Sequence, residues 1–524
     1  MNPLYPTCDA RPISRRAFIR TSGSLAAAAL WSSSSFGAVR RNPKFSAYPF
    51  QLGIASGDPT PDGVVLWTRL APNPLIGGGL SDEPIEVFWQ IAEDERMGKV
   101  IRQGKTVARP EWAHSVHVEV EGLRANRWYW YQFKAGGEVS PKGRTRTMPS
   151  NRAFPEKLRF AFASCQHFET GYFTAYEHMA REGLDLVLHL GDYIYEGAAQ
   201  EKQIRRHVGA ELRSLDDYRI RHAQYRTDEA LQTMHAAAPW IVTWDDHEFD
   251  NNCAGDISEE AKVQPADFLR RRAGAYQAYY EHMPLRRTSI PNGPDMKLYR
   301  RISFGRLADF LVLDTRQYRT DQPCGDGNHP PCAAAYDLKA TLLGHRQSEW
   351  LEQSLTNSTA RWNVLAQQIM MACVDRTPGE PYAYSMDQWP GYEIERRRLL
   401  KFFRERQISN PVVLGGDIHS NWANELLTDF ENLEAAPVAT EFVGTSISSG
   451  GDGTQSPKSL EQLLRENPFV KFHNAERGYV QCEVSAKEWR TDYQIVEYVT
   501  RKGGPLVTRA SFVVENGQPR LQKA

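Results

Sequence analysis

Between about Phe50 and Pro149, hydrophobic and polar positions alternate in short runs separated by turn residues: Gly63 to Thr68, Ile85 to Gln90, Ser115 to Val120 and Trp128 to Phe133. A period of two in β-branched and aromatic residues predicts strands, and their spacing predicts a small immunoglobulin-like β-sandwich over residues 45–149. No catalytic residue types concentrate there, so a structural or substrate-edge role is expected of it. After Pro149 the rhythm changes to near-continuous apolar runs flanked by helical periodicity: Leu158 to Ala163, Leu184 to Leu190, Trp240 to Trp244, Phe310 to Leu313, Trp362 to Leu365 and Pro411 to Leu414. Runs of this length suit strands covered on both faces by helices, so residues 155–520 read as a layered α/β domain. Gln200 to Ala238 is charged at helical spacing and predicts solvent-facing helices inserted between strands. Tyr479 to Val514 alternates again and predicts the last strands of the second sheet. Gly450-Gly451-Asp452-Gly453, with Ser446, Ser448 and Ser449 beside it, reads as a turn, because the helix context of a phosphate-gripping loop is missing.

Length and composition narrow the picture. At 524 residues the chain exceeds the size of one core, so two or more domains are expected. The 63 Lys+Arg and 64 Asp+Glu are interspersed, which leaves no basic face for nucleic acid or anionic lipid. Ser14-Arg15-Arg16-Ala17-Phe18-Ile19, the small-residue stretch Leu25 to Leu30 and the exit at Gly37-Ala38 follow the order of a twin-arginine signal, so residues 1–38 are expected to be an export tag read by the twin-arginine machinery. The mature protein is then periplasmic or secreted. Losing residues 1–38 removes four Arg and one Asp, which takes the net charge from −1 to about −4. No later run reaches the roughly 18 apolar residues of a membrane span, and a monomer without a transmembrane segment is expected. Cys324 and Cys332 bracket a Gly/Pro-rich loop that an oxidising compartment favours closing as a disulfide, although two loop-end thiols also fit simple proximity.

The chemistry concentrates at strand ends, where open α/β sheets place their ligands. Phe160 to Ala163 ends in Ser164-Cys165-Gln166, and Leu188 to Leu190 runs into Gly191-Asp192-Tyr193-Ile194-Tyr195-Glu196. Val242 to Trp244 leads to Asp245-Asp246-His247-Glu248-Phe249-Asp250-Asn251-Asn252, and Val413-Leu414 to Gly415-Gly416-Asp417-Ile418-His419. One Gly-Asp is usually a turn and one buried Cys is usually packing; four clusters at four strand ends point to a metal site.

These motifs, with Leu313-Asp314-Thr315-Arg316-Gln317-Tyr318-Arg319, resemble the PhoD-like alkaline phosphatase/phosphodiesterase family and, more distantly, calcineurin-like metallophosphoesterases and purple acid phosphatases. The resemblance covers essentially the whole mature chain. It implies an αββα metallophosphoesterase domain, iron(III) (Fe3+) with calcium (Ca2+), and phosphate ester hydrolysis outside the cytoplasm. Carried over by position, Cys165, Asp192, Tyr195 and His419 form an iron set. Thiolate and phenolate donors favour a highly charged ion. Asp192 as a bridge, with Asp246, Asn251 or Asn252, and Asp417, forms an oxygen-rich set suited to calcium. Where the wider superfamily has neutral nitrogen or amide donors, Cys165, Asp246 and Asp417 supply anionic ones, against a dizinc or dimanganese assignment.

His247 resembles the family's histidine near the leaving group and is expected as a general acid; a histidine held by Glu248 or Asp250 that orients a ligand is the alternative. Arg316 is expected to grip phosphate oxygens together with Arg319, with structural ion pairs beside the acidic loops as the alternative. His189 reads as a core histidine, and Trp422 and Asn424 as residues of the pocket mouth. The mechanism this implies is in-line attack by a metal-bound hydroxide, and the missing Gly-x-Ser-x-Gly disfavours a serine hydrolase. Two rivals remain: a phosphodiesterase or phospholipase D acting on teichoic acid or phospholipid diesters, and a non-catalytic binding protein, which four intact ligand clusters disfavour.

Overall fold

The computed structural model describes residues 39–377, 379, 381–455 and 459–524; the twin-arginine reading falls on residues 1–38, outside the described residues. The chain is a mixed α/β protein whose apolar strands divide their side chains between two cores, as a period of two requires. In Lys157–Ala163, Phe160 and Phe162 face one core while Ala161 and Ala163 face another, and Leu188 and Val187 part in the same way on Leu186–His189. On Ala308–Val312 and Trp362–Ala366, Phe310 and Val364 join Phe160 and Phe162, whereas Leu311 and Leu365 pack outward. Two sheets therefore share one apolar layer. Helices Leu215–Arg226, Glu229–Ala237 and Pro265–His282 cover the first sheet, and Gly344–Thr356 and Glu393–Glu405 cover the second.

In the first sheet, Lys157–Ala163, Leu186–His189 and Trp240–Val242 run parallel, with antiparallel strands beyond. The second has parallel Ala308–Val312, Trp362–Ala366, Pro411–Gly415 and Ala439–Val443. Val470–Ser485 belongs to both: residues 470–474 pair with Asn421–Leu426, and residues 477–485 with Lys157–Ala163 and Glu488–Val496.

The N-terminal strands form a sheet of Val100–Ala108, Ile85–Ala92, Trp128–Ala135, Gly143–Arg146 and Glu138–Val139, facing Ile54–Gly57, Val64–Arg69 and Ser115–Val120 across a core that includes Val87, Ile91, Tyr131 and Phe133. The second of these layers continues into the first sheet, because Gly57 pairs in parallel with Trp240. Leu215–Arg226 departs from the expected solvent-facing helix: Tyr218, Arg221, His222, Tyr225 and Arg226 are buried. The Tyr218 hydroxyl donates to the Phe249 carbonyl and Arg221 Nη1 donates to the Tyr195 and Gly197 carbonyls, which satisfies part of that buried polarity. Cys324 and Cys332 are joined in a disulfide. Among the described residues no helix is long and apolar enough to cross a membrane.

Candidate metal centre

Each ligand cluster begins where a buried strand stops. Cys165, Asp192, Asp417 and His419 all leave their strands with φ between 53° and 66°, a left-handed conformation costly for residues with a Cβ. Gly191 permits the approach of the second loop, since a Cβ there would meet the Asp245 backbone nitrogen at 2.5 Å. Glu248 ties two loops together: its oxygens accept the backbone N–H of Asp192 at 3.0 Å, Tyr193 at 2.6 Å and Asp245 at 2.8 Å.

Cys165, Asp192 and His419 place potential ligand atoms within 4.8 Å of one another, and so do Asp192, Asp246 and His247, and Asp245, Asp246 and Asp417. Asp192 is common to the first two sets. The Tyr195 hydroxyl donates to Asp192 Oδ2 at 2.9 Å and lies 3.2 Å from His419 Nε2. Asp192 Oδ1 and Asp245 Oδ2 are buried with no hydrogen-bond partner among the described residues. Burial, then neighbouring carboxylates, shape the titration. Burial and Asp192 push the Cys165 thiol and the Tyr195 phenol well up, and burial lifts Asp192 and Asp245 and takes Asp417 up to about 7. His419 is driven down to about 3 by burial and Arg477. Anionic donors crowded out of water with free lone pairs fit multivalent cations.

His247 is held neither by Glu248 nor by Asp250. Its Nδ1 lies 2.7 Å from Glu196 Oε2, because Glu248 is occupied by backbone amides and Asp250 pairs with Arg271 at 2.6 Å. Burial opposes the charge on His247, but Glu196, Asp192 and Asp246 outweigh it and raise its proton affinity well above the ordinary value. Arg316 is fully buried with carboxylates on all its nitrogens: Nε on Asp245, Nη1 on Asp387 at 2.9 Å, and Nη2 on Asp417 at 3.0 Å and Asp246 at 3.5 Å. Arg319 Nη2 is on Asp387 at 2.7 Å. This geometry matches the ion-pair alternative. The Asn251 and Asn252 side-chain amides donate to Glu259 and Asp326, and the Asn252 backbone N–H donates to Asp246 Oδ2 at 2.7 Å.

Trp422 and Asn424 are not at a pocket mouth. They lie buried on Asn421–Leu426, Trp422 Nε1 donating to Ser420 Oγ and Asn424 Nδ2 to Glu441. His189 is buried beside Trp240. Ser449, expected only in a turn, has its Oγ 2.8 Å from the Tyr195 hydroxyl and 2.7 Å from the Cys165 carbonyl. Asp387, Gln388 and Arg477 were also unforeseen. They reach Arg316, Asp417 Oδ2 and the His419 carbonyl, respectively, from segments without a strand-end motif. His167, Glu169 and His207 form a further compact group. Arg221 and Arg205 oppose positive charge there and, with burial, pull His207 down to about 2.

The sequence pattern described as PhoD-like phosphatase matches residues 160–493, and that of the PhoD-like phosphatase N-terminal domain matches residues 35–149. Alkaline phosphatase D of Bacillus subtilis (strain 168) is 51% identical over 518 residues, 97% of this chain and 89% of that protein. A solved structure described as that of PhoD superposes with a TM-score of 0.90 at 52% identity, covering 92% of this chain and 93% of that one.

Proposed function

The chain belongs to the PhoD-like phosphatase family and is a phosphoester-hydrolysing enzyme, and from that premise we propose that hydrolysis takes place at the cluster around Asp192. The observation that carries this reading is the sharing of Asp192 between two compact ligand sets while its Oδ1 has no hydrogen-bond partner among the described residues. Cys165, Asp192, Tyr195 and His419 would hold iron(III); Asp192, Asp246 and Asp417, with the side-chain oxygen of Asn251 or Asn252, would hold calcium. Cations bound there supply Lewis acidity toward the phosphoryl group and activation of water.

The chain's own residues do the rest. Glu196 orients His247 through Nδ1 and, standing outside the proposed metal sets, favours the protonated imidazole, which would donate to a departing alkoxide from Nε2. Arg316 is a positioning residue that gathers Asp245, Asp246 and Asp417. Residues 155–520 act as the αββα metallophosphoesterase domain behind an immunoglobulin-like sandwich, a reading supported by helices outside two face-to-face sheets. The twin-arginine motif supports export to the periplasm or beyond.

The test is metal analysis and nitrophenyl phosphate turnover of Cys165→Ala and Asp192→Asn. We expect iron content and a visible charge-transfer band to be lost in the first, and both metals and at least about 10²-fold activity in the second, the scale of a group acting on developing charge. Wild-type turnover and metal content in either variant would sink the assignment.

A further inference from the structure

We propose that the outward face of the N-terminal five-stranded sheet is a docking site for a linear acidic polysaccharide. This does not rest on the catalytic reading and uses none of its residues. In the strand register Phe88 lies between Lys105 and Lys134, and two residues along Gln90 lies between Gln103 and Gln132. Side chains at alternate and directly paired positions share a face, so the six make two adjacent rows, Lys-Phe-Lys and Gln-Gln-Gln. Val87, Ile91, Tyr131 and Phe133, of opposite parity, fill the sandwich core, which turns these rows outward. The face continues along Trp128–Ala135 to Trp130 and to Trp128, whose ring is stacked 3.5 Å from the Arg144 guanidinium.

These residue types are not what keeps a sheet face merely solvated. Phe88 is 39% exposed, with Lys105 Nζ 4.6 Å from its ring centre. Gln90 and Gln103 make no side-chain hydrogen bond among the described residues, and Gln132 uses only its amide N–H, toward the Ser140 carbonyl at 2.8 Å. Lys105 is paired with Glu86 at 3.2 Å, whereas Lys134 has no ion pair among the described residues. A groove of about 690 Å³ runs over Phe88, Gln90, Gln103, Lys105, Gln132 and Lys134. Each feature has a counterpart in a charged sugar chain. The C–H face of a pyranose stacks on an aromatic ring, hydroxyls pair with amides that both donate and accept, and carboxylates pair with Lys134 and Arg144. From Trp128 to Lys134 the platform is roughly 20 Å long at ~3.3 Å per residue, long enough for several sugar units. Single-stranded nucleic acid also stacks on aromatics, but it draws its affinity from a cation for each phosphate. Here the middle row is three neutral amides.

The test is affinity electrophoresis of the full protein through gels containing polygalacturonate, neutral hydroxyethylcellulose or no polymer, with fluorescent oligo-dT binding in parallel. Polygalacturonate is expected to retard the wild type. Phe88→Ala and Lys134→Glu, both exposed positions, should each weaken retardation about tenfold, as expected for an anchor residue, with nitrophenyl phosphate turnover unchanged as the check on folding. Three results overturn the proposal: no retardation by polygalacturonate, equal retardation by the neutral polymer, or retardation that both variants keep. Oligo-dT bound more tightly than polygalacturonate replaces it with a nucleic-acid face.

Discussion

Glu248 touches no ligand atom of the proposed metals, yet it accepts three backbone N–H groups from two ligand loops. Truncating it in Glu248→Ala leaves those buried donors unpartnered at roughly 1–3 kcal/mol each. Urea unfolding should show a loss on the order of 3 kcal/mol or more, and metal content should fall although no ligand is changed. Unaltered stability would mean that the loops hold themselves. Residues of this kind separate what the sequence discloses from what it does not. Cys165, Asp192, Asp246, Asp417 and His419 are legible because each stands two to four residues beyond the end of a recognisable strand. Glu196 and Glu248 stand in the same motifs, but which of them holds His247 depends on how the loops cross. Ser449 and Asp387 come from distant segments with ordinary turn composition, and only the fold brings them to Tyr195 and Arg316.

At the scale of elements, the apolar strands are read correctly where both faces are buried by hydrocarbon and missed where burial is polar. Asn421–Leu426 is fully buried yet carries Asn421, Asn424 and Glu425, which satisfy one another's neighbours through hydrogen bonds such as Asn424 Nδ2 to Glu441 Oε2 at 2.9 Å. Neither alternation nor an apolar run marks it. Leu215–Arg226 misleads because Arg221, His222 and Arg226 are internal. The joint between the N-terminal layer and the catalytic sheet is equally invisible in composition, since it is one parallel bridge at Gly57. A Cβ there would meet the Pro284 carbonyl at 2.6 Å and the Trp240 carbonyl at 2.8 Å. Backbone cannot yield as a flexible side chain does. Gly57→Ala should therefore destabilise by about 1–3 kcal/mol, the range for overpacking, and amide exchange should rise in Ile54–Gly57 and Trp240–Val242 before the rest of either sheet. Uniform exchange would show that the joint carries no strain.

The molecule as a whole gathers Asp192, Asp245, Asp246, Asp387, Asp417, Glu196 and Glu248 around the cations Arg316, Arg319 and His247, so without metal the site holds more negative than positive charge. Burial first, and then mutual repulsion, lifts Asp192 and Asp245 well up and takes Asp417 and Glu248 to about 7. A carboxyl whose folded pKa is raised contributes stability that is fully present below its unfolded value near 4 and lost as pH rises through the folded value. Metal-free protein should accordingly lose stability between about pH 5.5 and 8. Bound cations take the place of the protons on Asp192 and Asp417, so the metal-loaded form should lose less. Asp387, held well down by Arg316 and Arg319 against burial, titrates below this window. Buried histidines such as His117, down at about 4, and His189, at about 3, strengthen both forms as pH rises toward 6.5 and cancel from the comparison. Glu441, raised to about 7 by burial within Ala439–Val443, cancels as well. Unfolding free energies of chelator-stripped and metal-loaded protein, from denaturant titration, should then differ more at pH 8 than at pH 5.5, by on the order of 3 kcal/mol, the scale of one carboxyl shifted by about two units. Asp192→Asn should abolish most of the widening, because it removes the shared carboxylate, whereas Glu441→Gln should flatten both curves and leave their separation intact. A gap that stays constant or narrows with rising pH would place Asp192 and Asp417 outside the metal set.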